Sequence, residues 1–185
     1  MTWVQLDEVG FVFYIERTKK PLFPSIINFD RITMGMKIRK ANDRDAMVIA
    51  EFNRLMADET EHKVLSTKIL LRGVRALLKD VNKGIYFVAE VDGIVVGQLM
   101  ITYEWSDWRN GNFLWLQSVY VRKEFRNQGV FRALYRHVEN LAMKKNVCGL
   151  RLYVERENER AQKTYENMGM KKSVYEMFEK EFIRS

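Results

Sequence analysis

The chain has 185 residues, enough for one domain with a sizeable core, and its 47% hydrophobic content argues against an intrinsically disordered protein. Its 31 lysines and arginines against 24 acidic residues give a net charge of +7, which favours an anionic ligand but also suits RNA or an acidic protein. Cys148 is the only cysteine and there are two histidines, so an intrachain disulfide is excluded and no metal site is expected. A reducing, cytoplasmic location is the expectation.

Residues 1–35 differ from the rest and are predicted to be an N-terminal extension to a domain that spans residues 36–185. The longest apolar run of this extension, residues 11–15, is far shorter than the ~20 residues that a membrane span needs. No basic segment precedes the run, as one would in a signal peptide. The extension is interpreted as an upstream start-codon choice or as an added strand, and no membrane association is expected.

The domain is predicted to begin with a strand followed by two helices. Residues 37–41 have the composition of a strand, and Asn42 or Asp43 can cap a helix that continues to about residue 55. The acidic stretch 57–62 is predicted to be a loop. A second helix with an apolar stripe is expected over residues 67–78.

Three strands are predicted next. Residues 85–91 and 94–103 are rich in β-branched and aromatic side chains, and they flank Asp92-Gly93, a strong hairpin signal. A second loop over residues 104–111 is expected to lead into a buried central strand, residues 113–121.

The central strand is followed by a charged turn and an amphipathic helix. From Phe131 onward the apolar residues recur at the spacing of a helix with one buried face. The start of a helix presents unpaired N–H groups and the positive end of its dipole, so it can hold an anion. Arg126 adds a positive charge to the turn, and Gly129 lets a ligand approach the backbone. The turn is therefore a candidate phosphate site, although an ordinary strand–helix connection has the same pattern.

Another strand is predicted over residues 149–154, and a further helix is expected to begin at Asn158 and to end at Gly169. Residues 171–182 are predicted to form one or two closing strands. The predicted order is βααβββαβα followed by a terminal β, which indicates an α/β fold.

Two motifs resemble those of the GCN5-related N-acetyltransferases, the GNAT superfamily. The first is Arg126-x-x-Gly129-x-Phe131 after a strand that ends in Val-Tyr-Val; Phe131 stands where the family usually has glycine or alanine. The elements of the second motif are Asn158, Ala161, Tyr165 and the Gly169-Met170 pair. The resemblance covers residues 36–182 and implies a GNAT-like mixed, mostly antiparallel central sheet flanked by helices.

The resemblance implies that acetyl-CoA binds in a gap between strands 113–121 and 149–154, without a metal. The main chain of Val119, Tyr120 and Val121 would pair with the pantetheine arm, and the Val119 N–H would polarise the acetyl carbonyl. The residues implied to cradle the pyrophosphate are Arg126, Asn127, Gln128, Gly129, Val130 and Phe131. The cofactor residues implied in the next helix are Asn158 and Ala161.

The implied reaction is direct attack of a primary amine on the thioester, in a ternary complex. The resemblance gives Tyr165 the role of the acid that protonates the CoA thiolate, and the alternative is a tyrosine that only fills the core. The base stays open, because many relatives have a strand glutamate where this chain has Gln117 and Ser118. A water held by Gln117 and Ser118 can serve, as can a carboxylate from the acidic loops. The candidate base and acceptor-pocket residues in those loops and beside them are Glu59, Glu61, Glu104, Asp107 and Trp115.

These acidic residues as a group favour a small cationic amine as the acceptor, and the sequence does not identify it. The resemblance also implies a homodimer. The alternative from another class is an acyl-CoA-binding sensor or interaction module without catalysis, which Phe131 and the missing strand glutamate favour. Binding to nucleic acid is not expected, because the basic residues are spread along the chain without a recognition motif.

Overall fold

The computed structural model describes residues 35–145, 147–180 and 182, apart from the side chain of Glu61. Its strands form one mixed sheet in the spatial order β1-β2-β3-β4-β5. The strands are β1 (Lys37–Lys40), β2 (Ile85–Val91), β3 (Ile94–Ser106), β4 (Gly111–Val121) and β5 (Gly149–Arg151). Strands β1 to β4 pair antiparallel in chain order, whereas β5 runs parallel to β4. The predicted mixed, mostly antiparallel sheet is confirmed.

Helices cover both faces of the sheet. They are α1 (Ala46–Glu61), α2 (Thr67–Lys79), α3 (Val130–Lys144) and α4 (Glu159–Asn167). The predicted order βααβββαβα is therefore confirmed over the described residues. None of the helices in this described part of the chain is long and apolar enough to span a membrane.

The apolar stripe of α3 packs on one face of the sheet. Leu134 and Val138 are fully buried there, in one cluster with Leu99, Ile101 and other strand residues. The predicted periodicity of this helix is confirmed, because its buried residues recur three and four positions apart. Each such side chain contributes about 1.5–3 kcal/mol when it is fully buried, so this contact fixes α3 firmly against β3 and β4.

Helices α1 and α2 cover the opposite face. Ile49 of α1 and Val74 of α2 pack in one buried cluster with Tyr86 and Val88 of β2. Ile69, expected to face the core, is 69% exposed. Two buried polar residues, Asn53 and Gln98, lie beside this cluster, and their hydrogen bonds are described below.

The acidic stretch 57–62, predicted as a loop, instead forms the last turn of α1. Alanine and glutamate are good helix formers, so acidity alone does not end a helix. The helix ends at Glu61, His62 follows with a left-handed backbone, and the Lys63 N–H then donates to the Ala57 carbonyl at 3.2 Å. Glu59 therefore lies on a helix.

The second predicted loop, residues 104–111, is also shorter than expected. Strand β3 continues to Ser106, which pairs with Gly111 of β4, and a short 3-10 helix, Asp107–Arg109, connects the two strands. Glu104 sits across from Phe113 in this register. Its side chain accepts hydrogen bonds from Trp115 of β4 and Arg151 of β5.

The C-terminal end of the domain differs most from the prediction. Strand β5 ends at Arg151, not at residue 154, and none of the described residues 171–180 is in a strand. Val174 and Phe178 in that segment are both 92% exposed. The division into a 1–35 extension and a 36–185 domain stays a prediction, because residues 1–34 lie outside the described part.

Gly84, before β2, is predicted to be intolerant of a side chain. A Cβ there would lie 2.3 Å from the Ile101 carbonyl oxygen, and its φ of +144° disfavours any other residue. Gly84→Ala should therefore cost at least 3 kcal/mol of unfolding free energy, measured by urea denaturation. Gly93→Ala is the control, because Gly93 also has a positive φ of +79° but has open space around its Cβ position. It should cost about 1 kcal/mol; equal losses in both variants would contradict the clash.

Asp45 is predicted to make stability pH-dependent. It is buried and accepts hydrogen bonds from Arg39 at 2.7 and 2.9 Å and from the Asn42 N–H at 2.8 Å. Burial alone would raise the pKa of Asp45, but Arg39 and the Asn42 N–H outweigh it and lower that pKa below 3.8. A lowered pKa gives stability that is present above pH 3.8 and lost as the pH falls through the folded-state pKa.

Asp45→Asn should therefore lower the unfolding free energy at pH 7 by about 2 kcal/mol. The difference from the wild type should shrink as the pH is lowered toward 2, as followed by thermal melts across the acid range. Asp43→Asn, at an exposed neighbouring position, is the control and should show no such trend. A constant difference for Asp45→Asn at every pH would refute the ionised pair.

Candidate active site

The site is organised by a strand that loses one of its neighbours halfway along. Residues 113–115 of β4 pair with Gly149–Arg151, and the chain after Arg151 leaves the sheet. From Leu116 onward the main chain of β4 has no strand partner on that side among the described residues. The predicted gap between these two strands is therefore present, with main-chain donors and acceptors of β4 along its edge.

A β-bulge lies in the middle of this edge. The register between β3 and β4 steps from Met100↔Gln117 to Gln98↔Tyr120, so β4 has one residue more than β3 in this interval. Ser118, inside the bulge, has a φ of +48°, which is uncommon for a residue with a side chain. Such a bulge interrupts the ladder and turns main-chain groups out of their regular direction.

The gap ends at a turn that leads into α3. Gly129 is the N-cap residue of α3 with a φ of +78°, and Asn127 also has a positive φ, of +63°. No atom lies within 4 Å of the Cβ position at Gly129, so the backbone is open there. The N–H groups that follow in the first turn of α3 have no acceptor inside the helix. An anion can therefore approach the start of α3.

Arg126 stands between the end of β4 and helix α1. Its Nε donates to the Val121 carbonyl at 2.9 Å, and its Nη2 donates to Glu59 Oε2 at 2.7 Å. The guanidinium carbon also lies 5.4 Å from the Tyr120 ring centroid. These bonds use two of the five N–H groups of the guanidinium, so the arginine is fixed in place beside the turn.

Glu59 faces this same turn. Besides Arg126, it accepts a hydrogen bond from the Tyr120 hydroxyl at 3.1 Å, and Lys123 Nζ lies 3.6 Å away. Burial alone would raise the pKa of Glu59, but the hydrogen bonds from Arg126 and Tyr120 outweigh it and lower that pKa. The carboxylate therefore stays charged, with cationic partners.

Helix α4 approaches the turn from the other side. Asn158 caps α4 by accepting a hydrogen bond from the Ala161 N–H at 3.0 Å, as predicted for a helix start. Arg160, in the first turn, donates to Asn127 Oδ1 at 2.6 Å. Gln128 is held separately, by a bond from its Nε2 to the Glu124 carbonyl at 2.7 Å. Arg160 was not among the site residues predicted from the sequence, although a basic residue just after Asn158 could have indicated it.

Tyr165 and Phe131 meet between α3 and α4. Their ring centroids are 5.7 Å apart in an edge-to-face arrangement, and Phe131 also contacts Tyr135 with centroids 6.0 Å apart. The ring of Phe131 thus lies in the contact between the two helices. Burial raises the pKa of Tyr165 above its ordinary 10.0, which keeps the phenol protonated and neutral at physiological pH.

The remaining candidates lie on the face of β3 and β4 near β5. Gln117 Nε2 donates to Thr102 Oγ1 at 2.7 Å. Glu104 accepts hydrogen bonds from Trp115 Nε1 and Arg151 Nη1, and it forms an ion pair with Arg151. Glu104 and Trp115 are thus brought together, with an arginine already bound to the carboxylate.

Asp107 is not brought to the same place as Glu59. It is exposed in the β3–β4 turn, where its Oδ1 accepts from the Trp108 N–H at 2.9 Å. Tyr120, the partner of Glu59, lies roughly 30 Å farther along β4 at about 3.3 Å per residue. The acidic candidates therefore do not line one pocket. Glu61 ends α1, and its side chain lies outside the described part.

Comparison with known proteins shows the family of the chain. Residues 49–170 match the family model described as Acetyltransferase (GNAT) family. A possible acetyltransferase from Clostridium difficile 630 is 51% identical, with a TM-score of 0.76 over 80% of this chain and 99% of that one. A predicted acetyltransferase with acetyl-CoA from Clostridium acetobutylicum shares the fold at 16% identity, with a TM-score of 0.65 over 78% of this chain and 96% of that one.

A third relative is similar over a shorter stretch. The thialysine N-epsilon-acetyltransferase of Bos taurus is 33% identical over 75 residues, which are 40% of this chain and 44% of the bovine protein. The chain thus matches less than half the length of that relative. The family match, by contrast, extends from α1 past the end of α4, well over half of the chain. On that ground the chain belongs to the GNAT acetyltransferase family.

Proposed function

We propose that the protein transfers an acetyl group from acetyl-CoA to a primary amine. The observation that carries the proposal is the gap beside β4, which leads directly to the open start of α3. Main-chain groups for a pantetheine arm and N–H groups for a pyrophosphate therefore follow one another along a single path. Membership in the acetyltransferase family supports acetyl-CoA as the co-substrate.

The residues of the turn fit this co-substrate. The N–H groups of residues 127–131 would hold the pyrophosphate, with Arg126 beside them as a fixed charge. The positive φ of Asn127 and Gly129 supports this role, because it curves the main chain into a concave array of N–H groups. Phe131 does not argue against it, since its ring packs toward Tyr165.

The pantetheine arm would lie along the β4 edge. Main-chain groups of Val119, Tyr120 and Val121 would bond to its amides, and Asn158 would bond to it through its Nδ2 group because Oδ1 already caps α4. Ala161 would contact the arm with its small side chain. Acetyl-CoA supplies the activated thioester, and the Val119 N–H would stabilise the negative charge that develops on the acetyl oxygen.

Proton transfer would use Tyr165 and a water. Tyr165 would protonate the departing thiolate, for which a half-buried neutral phenol is suited. Gln117 cannot accept a proton, but its Nε2 is fixed by Thr102 and its Oε1 would order a water near Ser118. This water would relay the proton of the attacking ammonium to bulk solvent.

The acceptor is proposed to be a small amine, as the name of the bovine relative also suggests for that protein. Glu104, beside Trp115, is the carboxylate proposed to attract a cationic acceptor, and its ion pair with Arg151 weakens this attraction. A homodimer is proposed from the family, and a cytoplasmic location from the cysteine content. Light scattering would test the homodimer, and fractionation of the native cells would test the cytoplasmic location.

An acyl-CoA-binding module without catalysis is the second candidate. The specific observation that favours it is the pairing of Glu59 and Glu104 with arginines, which leaves neither as a poised base. Calorimetric titration with acetyl-CoA, followed by a panel of amines, separates the two. Binding with turnover supports the enzyme, binding without turnover for every amine supports the module, and no binding refutes both.

Arg126→Ala should weaken acetyl-CoA binding about 10- to 100-fold, because a charge-assisted hydrogen bond to phosphate is lost. Calorimetry measures the change. Glu59→Gln removes the same ion pair but keeps the arginine, so it should bind acetyl-CoA as tightly as the wild type or slightly more tightly. Arg136→Ala, at an exposed position later in α3, is the surface control. Equal weakening in the Arg126 and Glu59 variants would mean that the ion pair, and not a phosphate contact, matters.

Tyr165→Phe should lower kcat about 100-fold and change acetyl-CoA affinity less than threefold, because the phenol acts only as the thiolate leaves. Steady-state kinetics with the best amine of the panel, alongside calorimetry, tests this. Tyr135→Phe is the matched control, since Tyr135 also contacts the Phe131 ring but lies on α3. An unchanged kcat in Tyr165→Phe would leave Tyr165 a core residue only.

A further inference from the structure

We propose that Gln98 is a positioning residue that sets the direction of the Val119 N–H. The proposal rests on the acetyl transfer proposed above, in which that N–H meets the acetyl oxygen. Gln98 lies on β3, directly beneath the bulge of β4, and does not touch the proposed acetyl-CoA path. It would act through the carbonyl of Ser118, to which its side chain is bonded at 3.2 Å.

Gln98 belongs to a chain of buried polar side chains. It is completely buried, and its Nε2 donates to Ser118 O and, at 2.7 Å, to Asn53 Oδ1. Asn53, on α1, in turn donates from its Nδ2 to the Tyr86 hydroxyl at 3.0 Å. These hydrogen bonds therefore link Tyr86 of β2, through Asn53 of α1 and Gln98 of β3, to the Ser118–Val119 peptide in the bulge of β4.

The chemistry of Ser118 fixes which way the Gln98 amide faces. A main-chain carbonyl can only accept, so the side chain must present its nitrogen there. If the amide were reversed, two oxygens would face each other in a buried place. The oxygen of Gln98, Oε1, has no hydrogen-bond partner among the described residues. A buried acceptor without a partner is unfavourable. The cost is tolerated here because both amide N–H groups of Gln98 donate hydrogen bonds.

The held carbonyl and the proposed oxyanion donor belong to one peptide group. A trans peptide is planar, and its C=O and N–H point in opposite directions. The carbonyl of Ser118 is held on the α1 side of the sheet by Gln98. The Val119 N–H must then point away from Gln98. The positive φ of Ser118 is a strained conformation, which persists only where surrounding contacts hold it.

A packing role alone would not require an amide at this position. Apart from Asn53, its neighbours on this face are apolar: Val88 is its cross-strand partner on β2, and Met100 is two residues farther along β3. An apolar side chain of similar size would fill the same space without the unbonded oxygen of Gln98, although Asn53 Oδ1 would then lose its donor. What it would not provide is a donor to Ser118. The role of these hydrogen-bonded polar side chains is therefore to orient the Ser118–Val119 peptide.

Gln98→Met tests the assignment, because methionine keeps the approximate volume and removes the donor. The affinity for acetyl-CoA should fall about 3- to 10-fold, the value of one hydrogen bond, while the affinity for CoA, which has no acetyl oxygen, should change less than twofold. The kcat should fall about 10- to 100-fold, less than the ~10²–10³ that loss of a whole oxyanion donor costs. In the ligand-free protein, the amide NMR resonance of Val119 should shift.

Two further variants separate orientation from stability. Val88→Ala creates a cavity beside Gln98 but keeps its donor, so it should lower the melting temperature without changing the ratio of acetyl-CoA to CoA affinity. Asn53→Leu removes the other partner of the Gln98 amide and should change the same ratio by a smaller factor. If Gln98→Met does not fold, Asn53→Leu serves as the test variant instead.

The wild type is titrated first with both ligands. Failure of the wild type to bind acetyl-CoA refutes the proposed function, whereas normal wild-type binding leaves Gln98 as the point tested. An unchanged affinity ratio and an unchanged kcat in the folded Gln98 or Asn53 variants would overturn the positioning role. A loss of affinity for both ligands alike, matching Val88→Ala, would overturn it as well, since it would show a structural role only.

Discussion

The main chain of β4 is the constraint on which the site depends. It pairs with β3 except at Ser118 and Val119, where a bulge breaks the ladder, and it has β5 as a neighbour for only its first half. Unpaired main-chain groups are costly when buried, so a strand of this kind needs a ligand or water along its open edge. The packing of α3 on one face and of α1 and α2 on the other holds the strand in place despite its missing neighbour.

The order of the elements converts this open edge into a continuous path. The chain leaves β4 at Val121 and enters α3 at Val130 after a connection of eight residues that includes a short 3-10 helix, Lys123–Phe125. Helix α4 is joined to the same turn through Arg160 and Asn127. Two helix starts and one strand edge thus converge.

The order of the elements and the buried face of α3 were predictable because their signals are local, whereas the architecture of the sheet followed from the resemblance to the GNAT superfamily. The Asp92-Gly93 turn and the period of α3 each arise from residues close in sequence. Glu59 and Glu104 show the limit: both were assigned to loops on the strength of their charge. Each instead lies within a regular element and forms an ion pair with an arginine far away in sequence, Arg126 and Arg151 respectively. Long-range ion pairs of this kind leave no periodic signal.

The candidate site could be predicted in outline for a similar reason. Asn158 and Gly129 were recognisable because capping and positive-φ positions restrict the residue type strongly. Gln98 was not recognisable, because a single glutamine in an apolar strand has no signature until its partner, the carbonyl of Ser118, is known. Buried polar networks join positions that are distant in sequence, and only the folded arrangement shows them.

The bond between Glu59 and Arg126 has a consequence for communication across the molecule. Glu59 lies near the C-terminal end of α1, just before the connection to α2, while Arg126 lies beside the start of α3. An anion that draws the guanidinium toward α3 must compete with this carboxylate and so alters the end of α1. By thermodynamic reciprocity, whatever rearranges the connection between α1 and α2 alters the affinity for that anion by the same factor. The two sides of the sheet are therefore energetically linked through one ion pair.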